Sequence, residues 1–564
     1  MINLIIIFLS FLFTVGATPY FINFLFKNNI VDKPNGEDRH IHTEPIPRLG
    51  GVIIFAVIIS ITLTFYHDIS SILFFISGAL VVFILGILDD LRSIKWNIKF
   101  LVQSVAVILL IISFNEYQYP IIKLVNITLP YGLNNLVLFV LILGILNSFN
   151  LMDGLDGLVT GYSLIVASMC FLLNMGSGMI FTGYLSAAVI GTTLGFLKFN
   201  ANPARIFLGD SGSLTLGYLI TSLVIIISGV VSVNPQDTTK SYSNTIDLTF
   251  IIIALALPII DTLRVILVRF KRGNNLFLAD ANHLHHILLN KKIKHKTVVL
   301  LIHIFSVMFV LLAIYYAKFS KANALVIFTV LIILFFSIEH ILTFLIKKKI
   351  LITYSKVYNS IPDLIPKIYK IILLPIISLS LIILFAFLIF NEVNNSVYFY
   401  RYFILLLLPS LFYSTTKIKN DSYYPELLVL INIVLFFLIT GLSGFFYTLH
   451  PAPLIDYINF NQLFIFILSI LIIFFALFKE RVANLSQQFL TGGDLIITVL
   501  ISSIYIAVQF IDLPDSYKIS DTLLRSFLVY LFYKILIVTL PKIHLPLYYF
   551  SFFITVVVIL ISIF

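Results

Sequence analysis

The chain has 564 residues, of which 60% are hydrophobic and only 11% charged, and a formal charge of +10. This composition excludes an ordinary soluble domain. The single cysteine, Cys170, excludes an intrachain disulfide framework and any multi-cysteine zinc site. The basic residues cluster in every second loop, so the positive-inside rule accounts for the charge without nucleic acid.

Apolar runs of about 20 residues, long enough to cross a hydrocarbon core, recur along the chain. No barrel-like alternation appears. The expected fold class is therefore all-α, a polytopic integral membrane bundle of about 18 transmembrane helices. The first span covers residues 4–26 with no basic residue before it, so it reads as retained and not as a cleaved signal. Lys27, Lys33, Arg39 and Arg48 follow, which puts the first loop in the cytoplasm and the amino terminus outside. That loop, residues 32–51, is proline-rich and ends in Gly50-Gly51, which permits close approach at the start of the second span.

Spans at 52–65 and 72–88 bring the chain back to Asp89 and Asp90. On this topology the pair sits at a helix carboxyl end, where the dipole is already negative. A divalent metal, or the nearby Arg92, Lys95 and Lys99, would offset it; a solvated interfacial acid pair is the plain alternative. A span at 101–114 leads outward, and the fifth returns to residues 147–157, with Asn147, Asn150, Asp153 and Asp156 spaced by three. Ionisable groups beside a bilayer are functional candidates. Each step of three drifts by about 60° on a helix, so either the helix ends here or the four face different partners. Asn147 is expected to brace a neighbouring span.

Two more spans lead to residues 198–213, which contain Asn200, Phe207 and the run Gly209-Asp210-Ser211-Gly212-Ser213. The run opens the eighth span. Asp210 or Ser211 is suited to an ordinary N-cap, and the same small-residue helix start is suited to phosphate. Phe207 could stack on a base. The next large inner loop, about residues 269–296, holds His283, His285 and His286 beside Arg269, Lys271 and Arg272, a donor-rich site for anions. A histidine-only zinc site lacks a clear fourth ligand. Asp261 is expected to pair with Arg264 at i+3. By alternation all these clusters fall on one membrane face.

From residue 298 the character changes. Roughly eight further apolar spans follow, with few polar clusters. Residues 350–370 are weakly amphipathic, the best candidate for a joint between membrane domains. Thr491-Gly492-Gly493-Asp494 reads as a helix start after a turn. The expected division is a catalytic membrane domain at 1–297 and an additional membrane domain of unknown function at 298–564.

The ordered set of clusters resembles the polyprenyl-phosphate N-acetylhexosamine-1-phosphate transferase family, over about residues 1–297. The resemblance implies transfer of a HexNAc-1-phosphate, GlcNAc-1-phosphate foremost, from a UDP-sugar to undecaprenyl phosphate with release of UMP. It implies magnesium, with manganese as the substitute, and an active site on the cytoplasmic face of the plasma (inner) membrane. Carried over by motif, Asp89, Asp90 and Asp210 look catalytic, and Asp210 and Asp153 look like metal ligands. Arg48, Lys99, Asn150, Asp153, Asp156, Asn200, Phe207, His283, His285 and His286 look like substrate contacts. The His-Leu-His-His form is similar to the GlcNAc-1-phosphate branch. Departures stand out in two places: the first loop is longer between Pro34 and Arg39 than the common family form and has His40 where a lysine usually follows the arginine, and Ser93 and Ile94 stand where a third acid usually follows the aspartate pair. The expected partners are UDP-sugar, polyprenyl phosphate and membrane but no nucleic acid, with a homodimer or later glycan-assembly enzymes as protein partners. Alternatives are the same reaction with another UDP-sugar, a lipid-linked glycan flippase, and a scaffold paralogue. A flippase would place polar groups near the midplane and not at one face.

Overall fold

A computed structural model describes residues 2–32, 45–115, 121–125, 127–175, 177–232, 245–272, 283–291 and 293–347, with isolated residues 501, 528, 530 and 531. By contact the chain falls into two compact units, Met1–Phe344 with Thr491–Leu500, and Leu345–Leu490 with Ile501–Phe564. The first contains every cluster singled out above. The expected joint at 350–370, the 491–494 turn and most of the later spans lie outside the described residues, as do most of the first loop (residues 33–44) and the side chains of Lys271 and Arg272.

The first unit is mostly helical, as its apolar runs dictate: in lipid, helices satisfy their own backbone. In order they are α1 (Ile2–Lys27), α2 (Gly50–Phe65), α3 (Leu73–Leu91), α4 (Trp96–Asn115), α5 (Asn134–Met152), α6 (Leu158–Asn174), α7 (Ile180–Asn200), α8 (Gly209–Val231), α9 (Leu248–Ala254), α10 (Ala256–Arg272), α11 (Leu284–Asn290), α12 (His295–Lys318) and α13 (Lys321–Lys347). Among the described residues eight helices are long and apolar enough to cross a membrane, and nine if α9 and α10, bent by 84°, count as one span. Eighteen is not reached among these residues. The chain is a multi-pass membrane protein.

The purely helical expectation needs correction. Among the described residues five short strands are present: β1 (Val31–Asp32), β2 (Ile46–Pro47), β3 (Ile121–Leu124), β4 (Ile127–Thr128) and β5 (Thr245–Asp247). β1 pairs antiparallel with β2, while β3 pairs antiparallel with β4 and parallel with β5. These strands are two to four residues long, too short for any periodicity to show in the sequence.

α8 is the central element. It packs against α2, α3, α5 and α6, and its side chains from Ser211 to Ile225 are all buried. Tyr218 donates to the Phe75 carbonyl of α3 at 2.9 Å. Phe149 of α5 stacks edge-on to Tyr162 of α6 at 5.5 Å. The start of α8 meets its neighbours without intervening side chains. A Cβ at Gly51 would run into the Gly212 backbone nitrogen, and one at Gly86 into the Ser211 backbone. Small residues allow this approach, and van der Waals contact between close helices is a main source of cohesion in a membrane bundle.

At the far end of the unit Asp247 caps α9, accepting the Thr249 and Phe250 amides at 3.0 and 3.2 Å. Tyr316 (3.0 Å) and Lys321 (3.1 Å) complete its shell. α12 packs on α6 and α9, and α13 is tied in through Glu339, which receives Lys291 at 3.3 Å and Arg264 at 3.7 Å.

Candidate active site

Lys99 stands on the first turns of α4, opposite the carboxyl end of α3. Its ammonium bridges Asp89 Oδ2 and Asp210 Oδ2, each at 2.6 Å, and reaches Asn150 Oδ1 at 3.3 Å. Asn150 donates from Nδ2 to Asp210 Oδ1 at 2.8 Å and to Ser213 Oγ at 3.1 Å. Asp89 Oδ1 accepts the Ile94 amide at 2.7 Å. Four elements thus converge on one partly buried cation: α3, α4, α5 and α8. Asp210 is the most accessible acid of the group, with 32% of its side chain exposed against 10% for Asp89.

Asp90 faces elsewhere. Its Oδ1 accepts the Asp210 amide at 2.8 Å and its Oδ2 the Ser211 amide at 3.0 Å. The amino end of α8 is therefore capped by a residue of another helix, and not by Asp210 or Ser211. Gly209, at φ 73, makes the turn; a Cβ there would collide with the Asp90 carboxylate.

The helix at 147–157 ends at Met152, which settles the spacing question. Asp153 is the C-cap and Asp156 lies in the following turn, so the helical drift does not apply to them. Asn147, expected to brace a neighbouring span, is exposed on α5. Asp156 Oδ2 accepts Asn202 Nδ2 at 2.8 Å and the Ala204 amide at 3.2 Å. Asn200 is buried, accepting Thr160 at 2.9 Å and donating to the Ile206 carbonyl at 3.0 Å. Both shape the 201–208 loop. Backbone bonds dock that loop on β2 and α2: Phe207 N–H to Pro47 at 2.8 Å, Gly50 N–H to Phe207 and Gly51 N–H to Leu208 at 3.0 Å. Arg48, just before, pairs with Asp32 at 3.0 Å.

Asp153 is half-buried. Burial pushes its carboxyl well above the usual carboxylate range; the charges of Asp210, Asp90 and Asp156 push the same way, and Arg48 opposes them. This crowding of acids calls for further positive charge, which a hard divalent cation supplies. Among the described residues no three His, Cys, Asp or Glu side chains form a closed metal cage. Magnesium does not require one, being held by one or two carboxylates together with substrate phosphates and water. Asp210 and Asp153 fit that mode.

The histidine loop borders the same turn. His285 Nε2 lies where a Cβ on Gly154 would be. His283 Nδ1 bonds Asp261 Oδ2 at 2.8 Å, and the Leu284 amide bonds Asp261 Oδ1 at 2.9 Å. Asp261 thus fixes the loop across 22 residues of sequence; the i+3 spacing to Arg264 pointed elsewhere. His283 and His285 stack at 5.8 Å, and His285 and His286 lie 4.2 Å apart. Burial, reinforced by His286, lowers the His285 pKa to about 3, so that ring is neutral at pH 7. Sequence reasoning passed over Ser213 and Asn202, although both lie inside motifs it quoted, and His295, which no pattern marked.

A helical membrane unit with acids, a lysine and histidines gathered at the helix ends has the groups for handling phosphates beside a bilayer. Residues 72–228 match the family model described as "Glycosyl transferase family 4". The chain is 32% identical over 317 residues to a Bacillus subtilis protein named a probable undecaprenyl-phosphate N-acetylglucosaminyl 1-phosphate transferase, covering 56% of this chain and 85% of that one. It is 30% identical over 322 residues to the phospho-N-acetylmuramoyl-pentapeptide-transferase of Prochlorococcus marinus, covering 53% and 85%. It is 28% identical over 288 residues to the decaprenyl-phosphate N-acetylglucosaminephosphotransferase of Mycobacterium tuberculosis, covering 47% and 71%. The chain belongs to glycosyl transferase family 4, the polyprenyl-phosphate N-acetylhexosamine-1-phosphate transferases. It is a phospho-sugar transferase.

Proposed function

We propose that the protein transfers GlcNAc-1-phosphate from UDP-GlcNAc to undecaprenyl phosphate, releasing UMP, at the cytoplasmic face of the plasma membrane. The observation that carries this reading is the Lys99 bridge between Asp89 and Asp210, set beside the Asp153 turn and the histidine loop. The donor assignment is supported by relatives named for N-acetylglucosamine. The orientation is supported by the basic residues of the first loop.

The nucleophile is a phosphate monoester with a second pKa of about 6, largely ionised at pH 7, so a strong general base is not required. One of its oxygens bonds to the sugar-bearing phosphorus of the donor, and the bond from that phosphorus to the UMP oxygen breaks. Two anions must approach in line, and positive charge makes that feasible. Lys99, released from one carboxylate, neutralises the incoming phosphate. Asp89 and Asp210 are the catalytic acids, and Asp90 works by holding the start of α8. Asn150 orients Asp210. His283, His285 and His286 contact the diphosphate and sugar. Asp156 and Asn200 act through the loop that presents Phe207 to the base. Asp210 and Asp153 would hold a magnesium ion, which would supply charge neutralisation on the diphosphate.

Residues 298–564 include an accessory membrane domain that hands product to later glycan enzymes. The packing of α12 on α6 and α9, in the unit that holds the site, supports counting α12 with the catalytic part.

The test is UMP release by detergent-purified protein with undecaprenyl phosphate, magnesium and a panel of UDP-sugars, with Asp210→Asn as the control. UMP from UDP-GlcNAc only in the presence of lipid and metal is expected; none from any UDP-HexNAc refutes the reading. A second reading, the same reaction with another UDP-HexNAc, is favoured by the equal coverage of the muramoyl-pentapeptide relative, and the same panel decides it.

A further inference from the structure

His295 is a polar group at the site that the assignments above leave unused. It opens α12, whose first turn is closed through the Lys294 carbonyl, which accepts the Thr297 and Val298 amides at 2.8 and 3.1 Å. The imidazole therefore does not cap its own helix. α12 packs against α11, which carries His285, and against α6, which follows the 153–157 turn, and the ring interacts electrostatically with Asp156 and His285. Asp156 spends Oδ2 on Asn202 and Ala204.

The His295 Nδ1 is buried without a hydrogen-bond partner. The Nε2 atoms of His283 and His285 are in the same condition, in residues only 3% and 2% exposed. Unmade hydrogen bonds on buried polar atoms are costly, and native structures rarely keep them without a use. These three nitrogens, on the histidine loop and the start of the α12 helix packed against it, suit an oxygen-rich ligand. The amino end of α12 and the neighbouring Lys296 bias the place toward anions.

We propose that His295 is a further donor-binding residue, contacting the sugar-1-phosphate part of the UDP-sugar together with His283 and His285. This rests on the transferase function proposed above. It adds a residue from the first turn of α12, at the end of the inner loop that carries the other histidines.

The test compares full-length wild type, His295→Ala and His295→Gln for UMP release against UDP-GlcNAc concentration, and for inhibition by UMP. Loss of a hydrogen bond to a charged ligand group raises the KM for UDP-GlcNAc about tenfold or more in His295→Ala, with kcat within about twofold. Inhibition by UMP is unchanged, because UMP lacks the sugar phosphate, and His295→Gln recovers part of the loss. An unchanged KM overturns the proposal, as does an equal weakening toward UMP and UDP-GlcNAc, which marks a purely structural role. If His295→Ala does not fold, His295→Gln carries the same comparison with a smaller shift. If wild type releases no UMP, the transferase reading fails. Calorimetric binding of UDP-GlcNAc and UMP, which needs no turnover, then decides the role of His295.

Discussion

Asp90 holds Asp210 by the backbone: one carboxylate oxygen takes the Asp210 amide and the other the Ser211 amide, at 2.8 and 3.0 Å. A residue that reads as half of a catalytic acid pair is the cap of a neighbouring helix. Removing a cap of this kind costs about 1–2 kcal/mol, whereas asparagine is itself a good cap. Asp90→Ala should therefore lower thermal stability and slow UMP release together, and Asp90→Asn should keep most of the stability. Thermal unfolding in detergent, run beside the UMP assay, separates the two. Equal stability of wild type and Asp90→Ala would contradict the cap.

Lys99→Met leaves two facing carboxylates without the ammonium between them. Breaking a buried pair by removing one partner costs about 3–5 kcal/mol. Losing that positive charge from the incoming phosphate should lower UMP release by at least about 100-fold. Lys99→Arg should not rescue it, because a planar guanidinium is not a point charge on a flexible stem. A Lys99→Met variant with activity near that of wild type would remove the bridge from the mechanism.

His285 gives a pH signature. Its folded pKa, about 3, lies below the unfolded value of about 6.5. Between those values the unfolded chain binds the extra proton, so stability rises with pH through that window and falls as the pH drops. Above about 6.5 the contribution is complete. Melting temperature followed from pH 7 to pH 4 should decline less steeply in His285→Asn. Parallel curves for the two proteins would exclude His285 as the source.

Gly51→Ala should be more damaging than its size suggests. The added carbon meets the Gly212 backbone nitrogen, which cannot yield as a flexible side chain would. Overpacking of this kind typically costs about 1–3 kcal/mol. The melting temperature of purified Gly51→Ala reports it, and an unshifted value would mean that α2 can move away from α8.

The sequence made the clusters legible because ionisable groups are rare in apolar chains: Asp89, Lys99, Asn150 and Asp210 were all marked, and all meet. It could not say which way each carboxylate turns. Asp89 and Asp90 are adjacent letters, yet one faces Lys99 and the other the start of α8, because neighbouring helical side chains diverge by about 100°. Asp156 and Asn200 carried site-like spacing but bind Asn202, Ala204, Thr160 and Ile206. Long-range partners such as Asp261 and His283 leave no local pattern. The short strands β1 to β5 are fixed by pairing across loops, which no periodicity records.

The glycine contacts of α2 and α3 with α8 divide the site mechanically. With backbone against backbone at Gly51 and Gly86, three backbone bonds locking the 201–208 loop to β2 and α2, and Asp90 holding two α8 amides, that wall is fixed largely through main-chain atoms. It is a fixed jaw. The histidine side is held by side chains, with His283 on Asp261 and His285 against Gly154, and side chains can change rotamer. Adjustment to donors of different size therefore belongs to the histidine side, so changes that retune donor choice should concentrate there while the acid side stays constant.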